Sequence, residues 1–264
     1  MKNKGFKKAA AIISAALLLS ITACGSKEDP LATLEAALTK NAQTNDMDMD
    51  MDMDMELLQD GVSIGINSEG NMKMSGASTT DMLYVADMDV EMDMDGQSQS
   101  VDTVTFYQDG YCYMETMGTK IKYVMDLNTM METINQNTGL ANIDTSYLTD
   151  LTLKKEGNEK IITFNTDPSK MNEYVAQAMG AVSGLMDSNN MEMTVKKMNG
   201  SYSINQDGYC TGTDIYMEMD MVVSGISCSV TADIDITYNN PGQPVNVSIP
   251  STEGYTEVDI SAIQ

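Results

Sequence analysis

Between Met47 and Glu56 every second residue is methionine and every residue between them is acidic: Met47, Met49, Met51, Met53 and Met55 alternate with Asp48, Asp50, Asp52, Asp54 and Glu56. Successive side chains of a strand point to opposite faces, so this period of two predicts a strand with all thioethers on one side and all carboxylates on the other. A helix would scatter both around its circumference. The alternation returns in Met88, Val90, Met92 and Met94 against Asp87, Asp89, Glu91, Asp93 and Asp95. It returns again in Ile215–Val223 and in Ile226–Ile236. These are long, one-sided antiparallel strands. Further strands fit 100–108, 111–117, 119–125, 148–156, 159–166, 191–198, 201–206 and 244–249. Asp60-Gly61, Asp95-Gly96, Asp109-Gly110, Asn199-Gly200 and Asp207-Gly208 are hairpin dipeptides, and Ser224-Gly225 divides two long alternating runs.

Three segments carry helical spacing instead. Asp29-Pro30 reads as an N-cap followed by proline at the first helical position. Leu31, Leu34, Ala37 and Leu38 then form a stripe, which predicts a helix over 30–43. A second helix fits 127–137, with Leu127, Met130, Met131 and Ile134 on one face. A third starts at Asp167-Pro168 and runs to about Met186. Residues 251–264 read as a loose tail. Gln108-Asp109-Gly110-Tyr111-Cys112 recurs as Gln206-Asp207-Gly208-Tyr209-Cys210; either two related halves or a shared hairpin turn accounts for it.

The first residues follow a different logic. Lys2, Lys4, Lys7 and Lys8 precede an apolar run, Ala9 to Ile21, broken only by Ser14 and Ser20. This is an export leader, shorter than the roughly 20 apolar residues of a permanent span. It ends in Ile21-Thr22-Ala23-Cys24-Gly25, which resembles the bacterial lipobox. The resemblance implies cleavage before Cys24, a diacylglycerol (and palmitate-type acylation) on that cysteine, and a cell-membrane protein anchored at the extracytoplasmic face. Expected boundaries are therefore a signal peptide over 1–23, a lipidated tether over 24–29, one domain over 30–250 and the tail over 251–264.

Charge narrows the function classes. The formal charge is −24, and cutting the leader removes four lysines and no acid. Such a surface repels nucleic acid and anionic headgroups. His, Arg and Trp are absent. That removes His-activated nucleophiles, His general acid–base work and bidentate Arg capture of anions. No nucleophile–base pairing can be named, so no enzyme, no catalytic residue and no cofactor are expected. Beyond Cys24 there remain Cys112, Cys210 and Cys228. One disulfide with one free thiol, or three buried thiols, both fit; the apolar phase of Cys112 and Cys228 favours the second.

An N-terminal helix, long one-sided strands and helices inserted between strand groups resemble the half-barrel LolA/LppX-type lipoprotein carriers over about residues 30–250. The resemblance implies an α+β fold, a large curved antiparallel β-sheet with helices packed on its concave side. In that family the concave sheet holds acyl chains. By this reading the partners are the membrane, through the N-terminal lipid, and a lipid or other apolar ligand. The ligand would be held against a Met-rich lining of Met49, Met51, Met53, Met88, Met92, Met217 and Met219. The alternatives are a protein-interaction module with no cavity and an acidic calcium-binding protein. A thioether row is also able to hold Cu(I), but methionine without converging Cys or His points first to core, so no metal ligand is assigned. The window Glu91, Asp93, Asp95, Gly96, Asp102 brushes a calcium-loop spacing, which a hairpin at Asp95-Gly96 explains equally well.

Overall fold

A computed structural model describes residues 28–259 apart from 78, 95, 138–142, 173–190 and 224. The leader, Cys24 and most of the third expected helix lie outside the described residues. One open sheet of twelve strands carries the fold. Strands β1 (Met47–Gln59), β2 (Val62–Ser75), β3 (Leu83–Met94), β4 (Gln97–Gln108), β5 (Tyr111–Thr116) and β6 (Thr119–Val124) form one antiparallel meander. Strands β7 (Leu148–Glu156), β8 (Glu159–Thr166), β9 (Met191–Ile204), β10 (Cys210–Val223) and β11 (Ile226–Tyr238) form a second. Pairing of β1 with β11 welds the two together. Strands β6 and β7 therefore sit towards opposite edges, and the connection between them must cross the whole sheet. It carries helix α2 (Leu127–Asn137) and a short 3-10 turn (Thr145–Tyr147).

The crossing explains which face becomes the core. Met130 and Ile134 of α2, Leu34 and Ala37 of helix α1 (Pro30–Ala42), and Met171 in the helical turn at 168–172 are all buried in one cluster. They share it with Met49, Met72, Ile215, Ile234 and Ile236 of the sheet. Helix α1 packs against β7, β9 and β10. Its start is capped as expected: Asp29 Oδ1 accepts the amide of Leu31 at 3.0 Å. Its end is clamped by Asn41, whose amide nitrogen donates to the Cys210 carbonyl at 2.9 Å while its oxygen accepts the Cys210 amide at 3.0 Å.

Turn chemistry fixes the register. Asp109 and Gly110 have φ of 52° and 79°, the pair of positive angles that a two-residue hairpin needs. The expected α+β sheet with helices on one face is what the chain adopts, with four local differences. Strand β2 was not read from the sequence, because Gly65, Gly70 and a polar centre interrupt its alternation. Asn199-Gly200 is not a hairpin; β9 runs straight through it. Residues 244–249 form no strand, being bounded by Pro244 and Pro250 and without a ladder partner among the described residues. The segment read as a loose tail is tied down as far as it is described. Thr256–Glu257 (β12) pairs in parallel with β6, and the Tyr255 ring meets Phe106 and Tyr113 edge-on at 5.5 and 5.2 Å.

Gly200 is required by close approach rather than by a turn. A Cβ placed there would lie 2.1 Å from the Asp214 carbonyl oxygen and 2.9 Å from Cζ of Phe164. Gly200→Ala must push β10 or the Phe164 ring away. Overpacking of this kind costs about 1–3 kcal/mol, which a denaturant midpoint measured against the parent will show.

Candidate functional site: a hollow on the methionine face

Cross-strand rows place the side chains. In one row Met51 of β1 faces Gly70 of β2, and Gly70 faces Met88 of β3. Glycine fills nothing, so the row has a gap between two thioethers. In the adjacent row Met49 faces Met72, and Met72 faces Ala86, again a short side chain. The two missing volumes merge into a hollow of about 240 Å³ walled by Met49, Met51, Met72, Tyr84, Ala86 and Met88. Its floor is dry: Met49 and Met72 are 6% and 7% exposed. Its mouth opens towards β3, where Met88, Met92 and Met94 are 39%, 45% and 49% exposed.

Of the methionines expected to line a site, Met49, Met51 and Met88 meet in this hollow. Met53 stands one step along β1, half-buried against Ser68. Met92 lies outside the mouth. Met217 and Met219 belong to the other half of the sheet, on β10, opposite Ala232 and Val230 of β11. Gly70, Met72, Tyr84 and Ala86 were missed. All four sit on strand positions in phase with the methionine rows, and the hollow exists because one of them, Gly70, has no side chain to be noticed.

The opposite face is acidic. Asp214, Asp235, Asp52, Glu69, Asp89 and Asp102 stand one across from the next on β10, β11, β1, β2, β3 and β4. Opposed like charges destabilise a sheet unless solvated or protonated. Two members of the row hold their protons more tightly than usual. Asp235 is pushed up to about 7, first by its hydrogen bond to Asp214, then by desolvation and the surrounding charges of Asp214, Asp52 and Asp233. Asp89 is also raised, by desolvation and then by Asp102 and Asp87. Asp50 goes the other way, because Asn239 and Asn71 donate to it at 2.8 and 2.7 Å. A second, open hollow of about 660 Å³ lies on this face between Asp50, Asp52, Glu69, Asp87, Asp89 and Asp235. It shares Met51, Gly70, Asn71 and Asp87 with the methionine hollow, so at Gly70 the two are back to back. Among the described residues no lysine lines either one. A third, open hollow of about 730 Å³, over β7–β11, mixes polar groups such as Asn165, Ser201 and Asp214 with apolar ones such as Ile161, Phe164 and Ile215.

Other candidate chemistry recedes. Cys112, Cys210 and Cys228 are free and buried. Burial pushes the Cys210 thiol up to about 11 and raises Cys112, the wrong direction for a nucleophile. The calcium-like window is the β3–β4 hairpin, with Asp93 Oδ1 accepting the Gly96 amide at 3.1 Å. Among the described residues no three Cys, Asp or Glu groups are placed to hold a metal ion, and no helix is long and apolar enough to cross a membrane.

The raised Asp235 sets a sign for pH. Its folded pKa exceeds the ordinary carboxyl value, so its protonation stabilises the fold fully below the unfolded value, and this contribution is lost as pH rises through about 7. Asp235→Asn removes the titration. The variant should lose less melting temperature than the parent between about pH 5 and pH 8, read by circular dichroism.

Comparison with known proteins returns distant likenesses. LprF from Mycobacterium bovis is 10% identical, with a TM-score of 0.43, over 84% of this chain and 97% of that one. The lipoprotein LppX of Mycobacterium tuberculosis is 11% identical, with a TM-score of 0.40, over 83% and 98%. A DUF1329 family protein from Desulfovibrio piger is 12% identical, with a TM-score of 0.25, over 90% and 98%. No curated protein matches. The family pattern of DUF6612, a family of unknown function, matches residues 32–252, and the chain belongs to that family.

Proposed function

We propose that the chain is a lipid-anchored, extracytoplasmic binding protein that holds an apolar ligand, a lipid among the candidates, against its methionine face and carries out no catalysis. In this reading residues 1–23 are the export leader and Cys24 is the lipidated first residue. Residues 24–29 are the tether, residues 30–250 form one binding domain, and Tyr255–Glu257 strap its edge. The carrying observation is the hollow at Gly70 with its open mouth. A structural module with no ligand would gain from filling it, since a void forfeits dispersion contacts along its walls.

The hollow alone is smaller than the about 300–1,000 Å³ of a typical small-molecule site. The ligand therefore continues onto the half-buried strip of Met53 and Met55 and the exposed Met92. Methionine suits such a strip: three rotatable bonds let the wall follow the ligand's shape. Each methylene transferred from water adds about 0.8 kcal/mol.

Gly70→Leu tests the site. A Cβ at Gly70 meets its nearest neighbour, the Asp87 carbonyl oxygen, at an ordinary 3.4 Å, so the strand accepts a side chain there. The leucine would fill the hollow. Binding of a long-chain fluorescent fatty alcohol should fall at least roughly tenfold, a loss of about 1.4 kcal/mol, with the fold intact; unchanged binding would remove the hollow from the site. For the anchor, Cys24→Ala should move the protein from the membrane to the aqueous fraction, with mass spectrometry of the parent reporting the acyl groups.

A further inference from the structure

The chain holds 26 methionines, and a merely apolar wall does not need sulfur. Leucine and isoleucine supply the same burial with less side-chain freedom to lose. Sequence alone leaves the thioethers as rows. The fold makes four of them converge: Met49, Met51, Met72 and Met88 wall one hollow of about 240 Å³. Two come from adjacent positions of β1, one from β2 and one from β3, and Gly70 and Ala86 leave the space between them open. Buried and exposed ends alternate usefully. Met49 and Met72 are shielded from water, while Met88, 39% exposed, leaves a way in.

A second observation concerns charge. The hollow that backs onto this one is walled by Asp50, Asp52, Glu69, Asp87, Asp89 and Asp235, and the two share Gly70. Only a layer of backbone separates the carboxylates from the thioethers. Among the described residues no lysine lines either side. A cation in the methionine hollow therefore sits in a strongly negative field with low-dielectric walls, where charge interactions are screened least. Thioether sulfur is a soft, neutral donor. It selects soft ions such as Cu(I) and leaves hard divalent ions to oxygen.

We propose that Met49, Met51, Met72 and Met88 form a binding site for a soft monovalent metal ion, Cu(I) or Ag(I), in the hollow at Gly70. The carboxylates behind the sheet supply field and make no bond to the ion. The proposal uses the same hollow as the apolar ligand but a different property of its walls, and the two are separable because Met→Leu keeps the apolar volume and removes the sulfur.

Silver nitrate is the probe, since it needs no reductant. It is titrated into the full chain carrying ¹³C on its methionine methyl groups. A small set of methyl signals should move together and saturate at one equivalent. In the Met49→Leu/Met72→Leu variant the signals of the set that remain, those of Met51 and Met88, should stay in place. Affinity should fall by at least the roughly 10- to 100-fold that even an outer partner of a metal ligand is worth. The exposed single variant Met88→Leu, which carries little folding risk, should weaken binding in the same direction. Fatty-alcohol binding should stay near the parent's in all of them; its failure in the parent would count against the apolar-ligand reading and leave the metal site standing. Three outcomes overturn the metal site. The first is methyl shifts throughout the chain without a saturating set. The second is uptake by the buried thiols with these methyls unmoved. The third is binding to the double leucine variant as tight as to the parent.

Discussion

A slip of one residue anywhere in the central strands would turn a row of carboxylates into the core and a row of thioethers into water. That parity constraint governs the rest of the molecule. The pairs Met49–Met72, Met51–Ile236 and Met53–Ile234 all keep apolar side chains on the same face, and their carboxylate neighbours are forced together on the other. Because the methionine face is the apolar one over the central strands, the described helices pack on it. The β6–β7 connection has to cross it, since its ends lie towards opposite edges. Packing, charge and the candidate site are three consequences of one register.

The acidic face shows what the constraint costs and how the cost is met. At the end of the sheet where β1 begins, Asn71 and Asn239 donate to Asp50, and Lys73 pairs with Asp48 at 3.2 Å. Farther along, Asn67 donates to Asp54 at 2.7 Å and Ser201 to Asp214 at 2.6 Å, while Asp235, opposed to Asp214 and Asp52, holds its proton more tightly than an ordinary carboxyl. The lysines paired on the upper strands, Lys196 with Asp220 and Lys197 with Glu218, lie on β9 and β10, away from the central row. Carboxylate faces carboxylate across β1, β2 and β3, where the methionines of β3 on the other face are also exposed.

Period-two runs with no ambiguity were legible from the sequence. The alternation of β1, β3, β10 and β11, the Asp29-Pro30 helix start and the Asp109-Gly110 turn all follow from local geometry. What could not be read were features made by two segments at once. Gly200 looks like the end of a strand until the Asp214 carbonyl is known to press against it. Gly70 looks like a flaw in a strand until Met51 and Met88 are found on either side of it. The same holds for Tyr255, whose partners Phe106 and Tyr113 lie far back in the chain. Single residues announce their own backbone preference, but a cavity belongs to the residues that face each other across it.

The weld between β1 and β11 has a consequence for how the molecule is made. Each meander is built from hairpins whose contacts are close in sequence. The weld instead joins distant parts of the chain: Asn239 reaches Asp50 across 189 positions. Loop-closure entropy makes such a contact slow to form and local hairpins quick. The two meanders can therefore gain structure separately, each with one long acidic flank, and the final step of assembly is the meeting of two negatively charged edges. Ionic strength and divalent counterions then act on the rate of folding as well as on the stability of the opposed carboxylates in the folded sheet, and Asn239, at the start of the weld, helps hold it once it closes.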